Sequence, residues 1–191
     1  MKNCIVVHGI PDHIEKSMDS KTRTYDKHWI PWIKKELISR GIPTQTPLMP
    51  TPWNPNYSAF KGIFETCTVT EDSILIGHSG GGSFLVRWLG DTKQLIHKLI
   101  LVAPWKIPDK KNPEKKAFYE YPIDTTIPSR VKEIIMFTSD NEHKDGKSSL
   151  EIYHRVLGGR IINLTGHGHY LFKDMGTEEF PELLDEITKG I

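Results

Sequence analysis

The stretch from Ser73 to Leu89 limits what this chain can fold into more than any other. It opens with Ser73-Ile74-Leu75-Ile76, passes through Gly77-His78-Ser79-Gly80-Gly81, and continues with Phe84, Leu85, Trp88 and Leu89 at helical spacing. A short buried strand, a sharp turn and a helix must therefore follow one another without a spacer. The pattern Gly-x-Ser-x-Gly is that of a nucleophile elbow, which lifts one serine hydroxyl clear of the backbone. In so tight a turn, a Cβ two residues to either side of the serine would strike neighbouring backbone, and glycine has none. The same glycines would also suit a plain strand-to-helix turn that caps a helix or holds an anion.

Strand and helix patterns alternate on both sides of this stretch. Asn3 to His8 reads as a first strand, and a long polar loop runs from Pro11 to Lys27. Trp29, Ile30, Ile33 and Leu37 mark a helix face that ends at Arg40-Gly41. Ile42 to Leu48 resembles a second strand, and its prolines suit a sheet edge. Tyr57, Phe60, Ile63 and Phe64 mark the next helix. After the elbow come strands at Lys98 to Ala103, Val131 to Phe137 and Arg160 to Leu164. Leu150, Tyr153 and Leu157 mark a helix between the last two, and Phe180, Leu183, Leu184 and Ile187 mark the closing one. Nearly continuous apolar strands separated by helices predict a mostly parallel sheet of about six strands, covered on both faces in a three-layer α/β sandwich. One domain over residues 1–191 is expected. The stretch from Pro104 to Pro128, with five prolines and the aromatics Trp105, Phe118, Tyr119 and Tyr121, is either surface connection or a cap over the serine.

Composition narrows the partners. The 191 residues carry 25 basic and 24 acidic side chains, which gives no electrostatic case for nucleic acid or a membrane surface. Lys110-Lys111 and Lys115-Lys116 read as a solvated loop. The two cysteines, Cys4 and Cys67, make no disulfide framework and fit the thiols of a reducing compartment. A strand that begins almost at the first residue leaves no room for a signal peptide, and no apolar run has the length of a membrane span. A cytoplasmic protein is expected.

A serine hydroxyl needs a base, and the base needs an orienting acid. In this type of fold the chain order is serine, acid, histidine. The late segment Gly166-His167-Gly168-His169-Tyr170 offers two histidines, of which His169, further along the loop and beside an aromatic, is the expected base. The repeated His-x-His also admits a zinc reading, but no Cys or carboxylate cluster accompanies it at ligand spacing; no metal is expected. After the fifth strand, Ser139-Asp140-Asn141-Glu142 supplies two candidate acids. Glu142 is favoured by its distance from the strand end and its longer reach, while the short side chain of Asp140 suits turn capping. His8 and His78 fall too early or beside the nucleophile; with Gly9 they are assigned to shaping the substrate site.

The resemblance that these residues carry is to the small serine hydrolases of the YdeN and retinoblastoma-binding protein 9 group, in the α/β-hydrolase superfamily. It rests on Val6-Val7-His8-Gly9, His28-Trp29-Ile30-Pro31-Trp32, the Met49-Pro50 region, the elbow, Ser139-Asp140-Asn141-Glu142, Gly168-His169-Tyr170 and Glu179-Phe180-Pro181-Glu182-Leu183-Leu184. It implies a compact α/β-hydrolase fold, Ser79 as nucleophile and His169 as base. The acid in that group is usually an aspartate at the position of Glu142, so either this glutamate substitutes or Asp140 takes the role. The Leu-x-Cys-x-Glu segment associated with retinoblastoma binding is absent, and no such partner is carried over. The Pro11 to Lys27 loop is longer than usual in the group and would narrow the entrance.

The implied chemistry is two-step acyl transfer on a small ester-like substrate, with esterase-type activity and no cofactor. The oxyanion would meet the backbone N–H of Gly80 and of Ile10, since Pro11 has none to give. A pocket lined by Trp53, Trp105 and Tyr170 would favour short acyl groups. Two other classes remain: a non-catalytic binding or scaffolding protein on the same fold, and phosphate binding at the glycine-rich turn. Against the second stands the lack of both Gly-x-Gly-x-x-Gly after the first strand and Gly-Lys-Ser/Thr after the elbow.

Overall fold

The computed structural model describes residues 2–11, 14–108 and 112–190. Six strands form one sheet: β1 (Cys4–Val7), β2 (Thr44–Gln45), β3 (Ile74–His78), β4 (Ile96–Val102), β5 (Val131–Ser139) and β6 (Arg160–Leu164). The order is β2-β1-β3-β4-β5-β6, and every neighbouring pair is parallel. The helices are α1 (Ile30–Ser39), α2 (Tyr57–Phe64), α3 (Gly80–Thr92), α4 (Pro113–Tyr119), α5 (Lys144–Leu157), α6 (Phe172–Met175) and α7 (Pro181–Thr188).

Alternation along each strand builds two cores, because successive side chains leave opposite faces. Ile5, Val7, Leu75, Leu99, Leu101 and Met136 pack with Phe60 and Phe64 of α2, Phe84, Leu85 and Leu89 of α3, and Leu150 and Tyr153 of α5. Cys4, Val6, Ile74, Ile76, Ile100, Val102, Ile135 and Phe137 pack with Ile33 and Leu37 of α1 and Leu183 and Ile187 of α7. Both faces are thus covered, and the central strands read as unbroken apolar runs for that reason. Each such side chain fully withdrawn from water contributes about 1.5–3 kcal/mol.

One fully buried charge lies within this sheet. Lys98 of β4 is fully buried, pairs with Glu133 of β5 at 2.9 Å and donates to the carbonyl of Glu186 at 2.6 Å. It thereby fastens α7 to the end of the sheet remote from the elbow.

Several sequence expectations change. The second strand shrinks from Ile42–Leu48 to two residues between Pro43 and Pro47, which cannot donate to a ladder; it lies at the sheet edge as its prolines imply. The described part of the Pro104 to Pro128 segment is ordered and partly built into the core. It contains α4 and a 3-10 turn at Ile127–Ser129, buries Phe118, Tyr119 and Ile127 in the core, and ties Tyr121 through its hydroxyl to the carbonyl of Ser83 at 2.7 Å. Lys115 is buried on α4, with Nζ donating to the Pro11 carbonyl at 3.4 Å, rather than solvated; Lys110-Lys111 lies outside the described residues. Cys4 and Cys67 are both buried free thiols. Among the described residues no helix is long and apolar enough to cross a membrane.

The sheet order reverses between β1 and β3: the chain leaves β1 for β2 on one side and returns to β3 on the other. A crevice opens at such a switch point beyond the strand ends. Gly9 and Ile10 after β1 and Ser79 after β3 flank it.

Candidate active site

Ser79 sits between β3 and α3 with φ 51° and ψ −120°, a backbone conformation that side chains rarely adopt. The flanking glycines permit it. A Cβ on Gly77 would come within 2.5 Å of Gly82 Cα, and one on Gly81 within 2.4 Å of the Val7 carbonyl oxygen. Both contacts are with backbone, so nothing can give way. On the open side, a Cβ on Gly80 would lie 2.3 Å from Ile10 Cγ1, and one on Gly9 3.3 Å from Ser79 Cβ. The Gly9-Ile10 backbone therefore passes directly beside the serine.

His169 brings Nε2 to 2.8 Å from Ser79 Oγ, and its Nδ1 donates to Glu142 Oε2 at 2.9 Å. With the proton on Nδ1, Nε2 is left free to accept from the hydroxyl. Glu142 is almost wholly enclosed (side-chain exposure 1%), and its other oxygen accepts the His143 N–H at 2.7 Å.

The loop carrying His169 is held by the turn that ends β5. Asp140 Oδ1 accepts Gly166 N–H at 2.7 Å, Ser139 Oγ accepts His167 N–H at 2.9 Å, and Asn141 Oδ1 accepts Gly168 N–H at 2.8 Å. With Glu142 on the imidazole, Ser139 to Glu142 grip Gly166 to His169 one residue each. From the far side, Asp174 Oδ2 accepts His169 N–H at 3.0 Å. Sequence reasoning missed Ser139, Asn141 and Asp174. For Ser139 and Asn141 the signal present was a run of short polar side chains at a strand end, a composition that bonds nearby backbone; Asp174, in α6, carried no such signal.

The remaining candidates divide. Asp140 does not reach His169; its carboxyl is held low chiefly by the Gly166 N–H. His8 does not line the cleft, contrary to expectation. Its Nδ1 donates to the Gly9 carbonyl at 2.8 Å, its Nε2 accepts Met49 N–H at 3.0 Å, and burial pushes its pKa down to about 4. His78 does line the cleft and donates Nε2–H to the His169 carbonyl at 2.9 Å; burial holds it well below the usual histidine range. His167 donates from Nδ1 to the Thr165 carbonyl at 2.8 Å and packs against Tyr170 and Phe180. Among the described residues, no group of three or more His, Cys, Asp or Glu is arranged to hold a metal ion.

A cleft of about 480 Å³ opens over Ser79 and His169. Gly9, Ile10, Pro11 and Tyr25 form one wall, Leu171 and Phe172 the other, with His28 between them; Glu15, Lys27, Lys173 and Glu178 supply charge. Trp53, Trp105 and Tyr170, expected to line it, do not. Trp105 meets the His169 ring edge-on at 5.6 Å, and Tyr170 is fully buried with its hydroxyl on the Thr138 carbonyl. The first wall is the long loop after β1, which is braced internally: the Glu15 carboxylate accepts the N–H and hydroxyl of Thr24, Arg23 pairs with Asp26, and Tyr25 donates to the Ser17 carbonyl. Phe172 of the second wall donates its N–H to His28 Nδ1 at 3.1 Å.

This fold, with a serine on a sharp turn at its switch point, defines a class, and the chain belongs to the serine hydrolase family, whose profile matches residues 21–189. Among its relatives is YdeN of Bacillus subtilis (strain 168), 21% identical over 167 residues, which cover 84% of this chain and 87% of the relative. The crystal structure of the B. subtilis ydeN gene product superposes with a TM-score of 0.83 at 20% identity, over 98% of this chain and 97% of that one. Est1E from Butyrivibrio proteoclasticus, solved with ferulic acid bound, superposes with a TM-score of 0.68 at 12% identity, over 98% and 88%. At these identities the structures speak for a shared α/β-hydrolase fold alone.

Proposed function

We propose that Ser79, His169 and Glu142 act as nucleophile, base and orienting acid in two-step acyl transfer from ester-like substrates. The observation that carries this reading is the unbroken line from Ser79 Oγ through the imidazole to Glu142 Oε2, with steps of 2.8 and 2.9 Å, at the floor of an open cleft. His169 takes the hydroxyl proton as Oγ attacks the carbonyl carbon, and the enclosed carboxylate steadies the imidazolium that forms. The tetrahedral oxyanion faces the N–H groups of Gly80, at the positive end of α3, and of Ile10. Each such donor is typically worth roughly 3 kcal/mol in the transition state. The imidazolium returns its proton to the leaving oxygen. Water, deprotonated by the same imidazole, then frees the acyl group. Ile10, Pro11, Leu171 and Phe172 favour an apolar acyl part, and an aromatic acid of the kind held by Est1E belongs in the test panel. Buried free Cys4 and Cys67 fit a reducing, cytoplasmic setting.

The test is labelling with a fluorophosphonate, then hydrolysis of p-nitrophenyl esters of graded acyl length. Labelling that is lost in Ser79→Ala and His169→Ala is the expected result. A folded native protein that resists the probe at neutral and alkaline pH would overturn the reading and leave a non-catalytic binding role in its place.

A further inference from the structure

We infer that Gly146 is a positioning residue: its missing side chain is the space that lets a glutamate, rather than a shorter acid, reach His169. The inference rests on the reading of Glu142 as the orienting acid. Gly146 lies in the first turn of α5, four residues after Glu142. A Cβ there would stand 2.7 Å from Glu142 Cδ and 2.8 Å from both Cγ and Oε1, closer than real Cβ atoms approach anything.

The end of a flexible side chain can ordinarily swing aside, but this one is pinned. Oε2 is engaged by His169 Nδ1 and Oε1 by the His143 N–H, and the carboxylate is enclosed. Any movement large enough to clear a methyl group stretches one or both bonds. The backbone supplies no other reason for a glycine. Gly146 is helical and absent from the residues at positive φ, and in a helix alanine is otherwise the better choice. Glutamate is one methylene longer than aspartate, so its chain must fold back over the start of α5 before the carboxylate meets the imidazole. The volume it occupies is the volume residue 146 leaves empty.

The experiment is a double-mutant cycle on the full chain, with Gly146→Ala made alone and together with Glu142→Ala, read by ester hydrolysis and by thermal melting. With Glu142 present, Tm falls and kcat falls about tenfold or more while KM holds, and the acid limb of the pH–rate profile moves to lower pH as the imidazolium loses its partner. With alanine at 142, the added methyl changes kcat by no more than about twofold and raises Tm. Should Gly146→Ala alone fail to fold while the double variant folds, the pair is equally established. Unaltered kcat and pH limb in Gly146→Ala, an equal loss in both backgrounds, or failure to fold in both, would overturn the inference. Loss of the triad reading shows separately, as hydrolysis that survives Ser79→Ala, and the opposite signs of the two Tm changes still decide whether Gly146 makes room for Glu142.

Discussion

The carboxylate of Asp140 accepts the backbone N–H of Gly166 at 2.7 Å, across 26 residues of chain. That bond spends the nearer of two acidic side chains on the loop's entry and leaves the farther, Glu142, to meet the imidazole. Adjacent turns of β5 and β6 make the contact possible, since Asp140 N–H also donates to the Leu164 carbonyl at 3.0 Å. Two carboxylates on one turn thus have separate tasks, one structural and one directed at His169.

Glu142→Ala is therefore expected to reduce kcat for ester hydrolysis by about 10²–10⁴-fold with little change in KM, as loss of an orienting carboxylate does elsewhere. Asp140→Ala should cost about tenfold or less in kcat, acting only through the position of the loop. Steady-state kinetics on the two variants settle the division; a larger loss in Asp140→Ala would reverse it.

Asn141→Ala removes the acceptor of Gly168 N–H and the partner of the Ser139 hydroxyl. Each bond lost at this partly buried turn is worth about 0.5–1.5 kcal/mol. The expected result is a drop of about 1–3 kcal/mol in stability and faster amide hydrogen exchange at 166–169 than at the strands. Exchange at Gly168 that matches the native protein would show that the turn does not hold the loop.

Much of the architecture was readable because a parallel strand covered on both faces is an uninterrupted apolar run. Ile74-Leu75-Ile76 and Lys98 to Ala103 announce themselves that way. Chain order brings Ser79 and a late histidine to the same sheet edge without any knowledge of packing. The rest depended on partners distant in sequence. Whether His8 faces the cleft or the interior is decided by Met49 N–H and the Tyr25 ring, neither of which the local pattern contains. α4 hid among prolines and charges, since its apolar face is only Phe118 and Tyr119. Asp140 and Glu142 were both plausible acids because the distinction lies in contacts with Gly166 and His169, across the gap between two strands.

Stability should fall on mild acidification. The folded pKa of His8 is about 4 against an ordinary 6.5, so the unfolded chain takes up a proton that the folded one refuses. The associated stability is fully present above pH 6.5 and is lost progressively as pH falls toward 4, by about 3 kcal/mol from this residue. His78, also lowered by burial, acts in the same direction. Urea unfolding at pH 7.5, 5.5 and 4.5 measures the slope, which His8→Gln should reduce by about one proton. A flat profile from pH 7.5 to 4.5 contradicts this.

Lys98→Met keeps the stem's packing and removes the charge. Glu133 retains Arg160 at 3.3 Å, while the Glu186 carbonyl loses its donor. The expected cost is about 1–3 kcal/mol, with kcat unchanged because the site lies at the other end of the strands. Denaturation and hydrolysis measured side by side check both halves.

The first wall of the cleft has a further consequence. Glu15 with Thr24, Arg23 with Asp26 and Tyr25 with Ser17 close the loop on itself, outside the sheet that shapes the elbow. The Glu15–Asp26 part of the rim and the turn that carries Ser79 are thus built by different stretches of chain. Under the acyl-transfer reading proposed above, that part of the rim can be recut for a new guest while the elbow stays as it is.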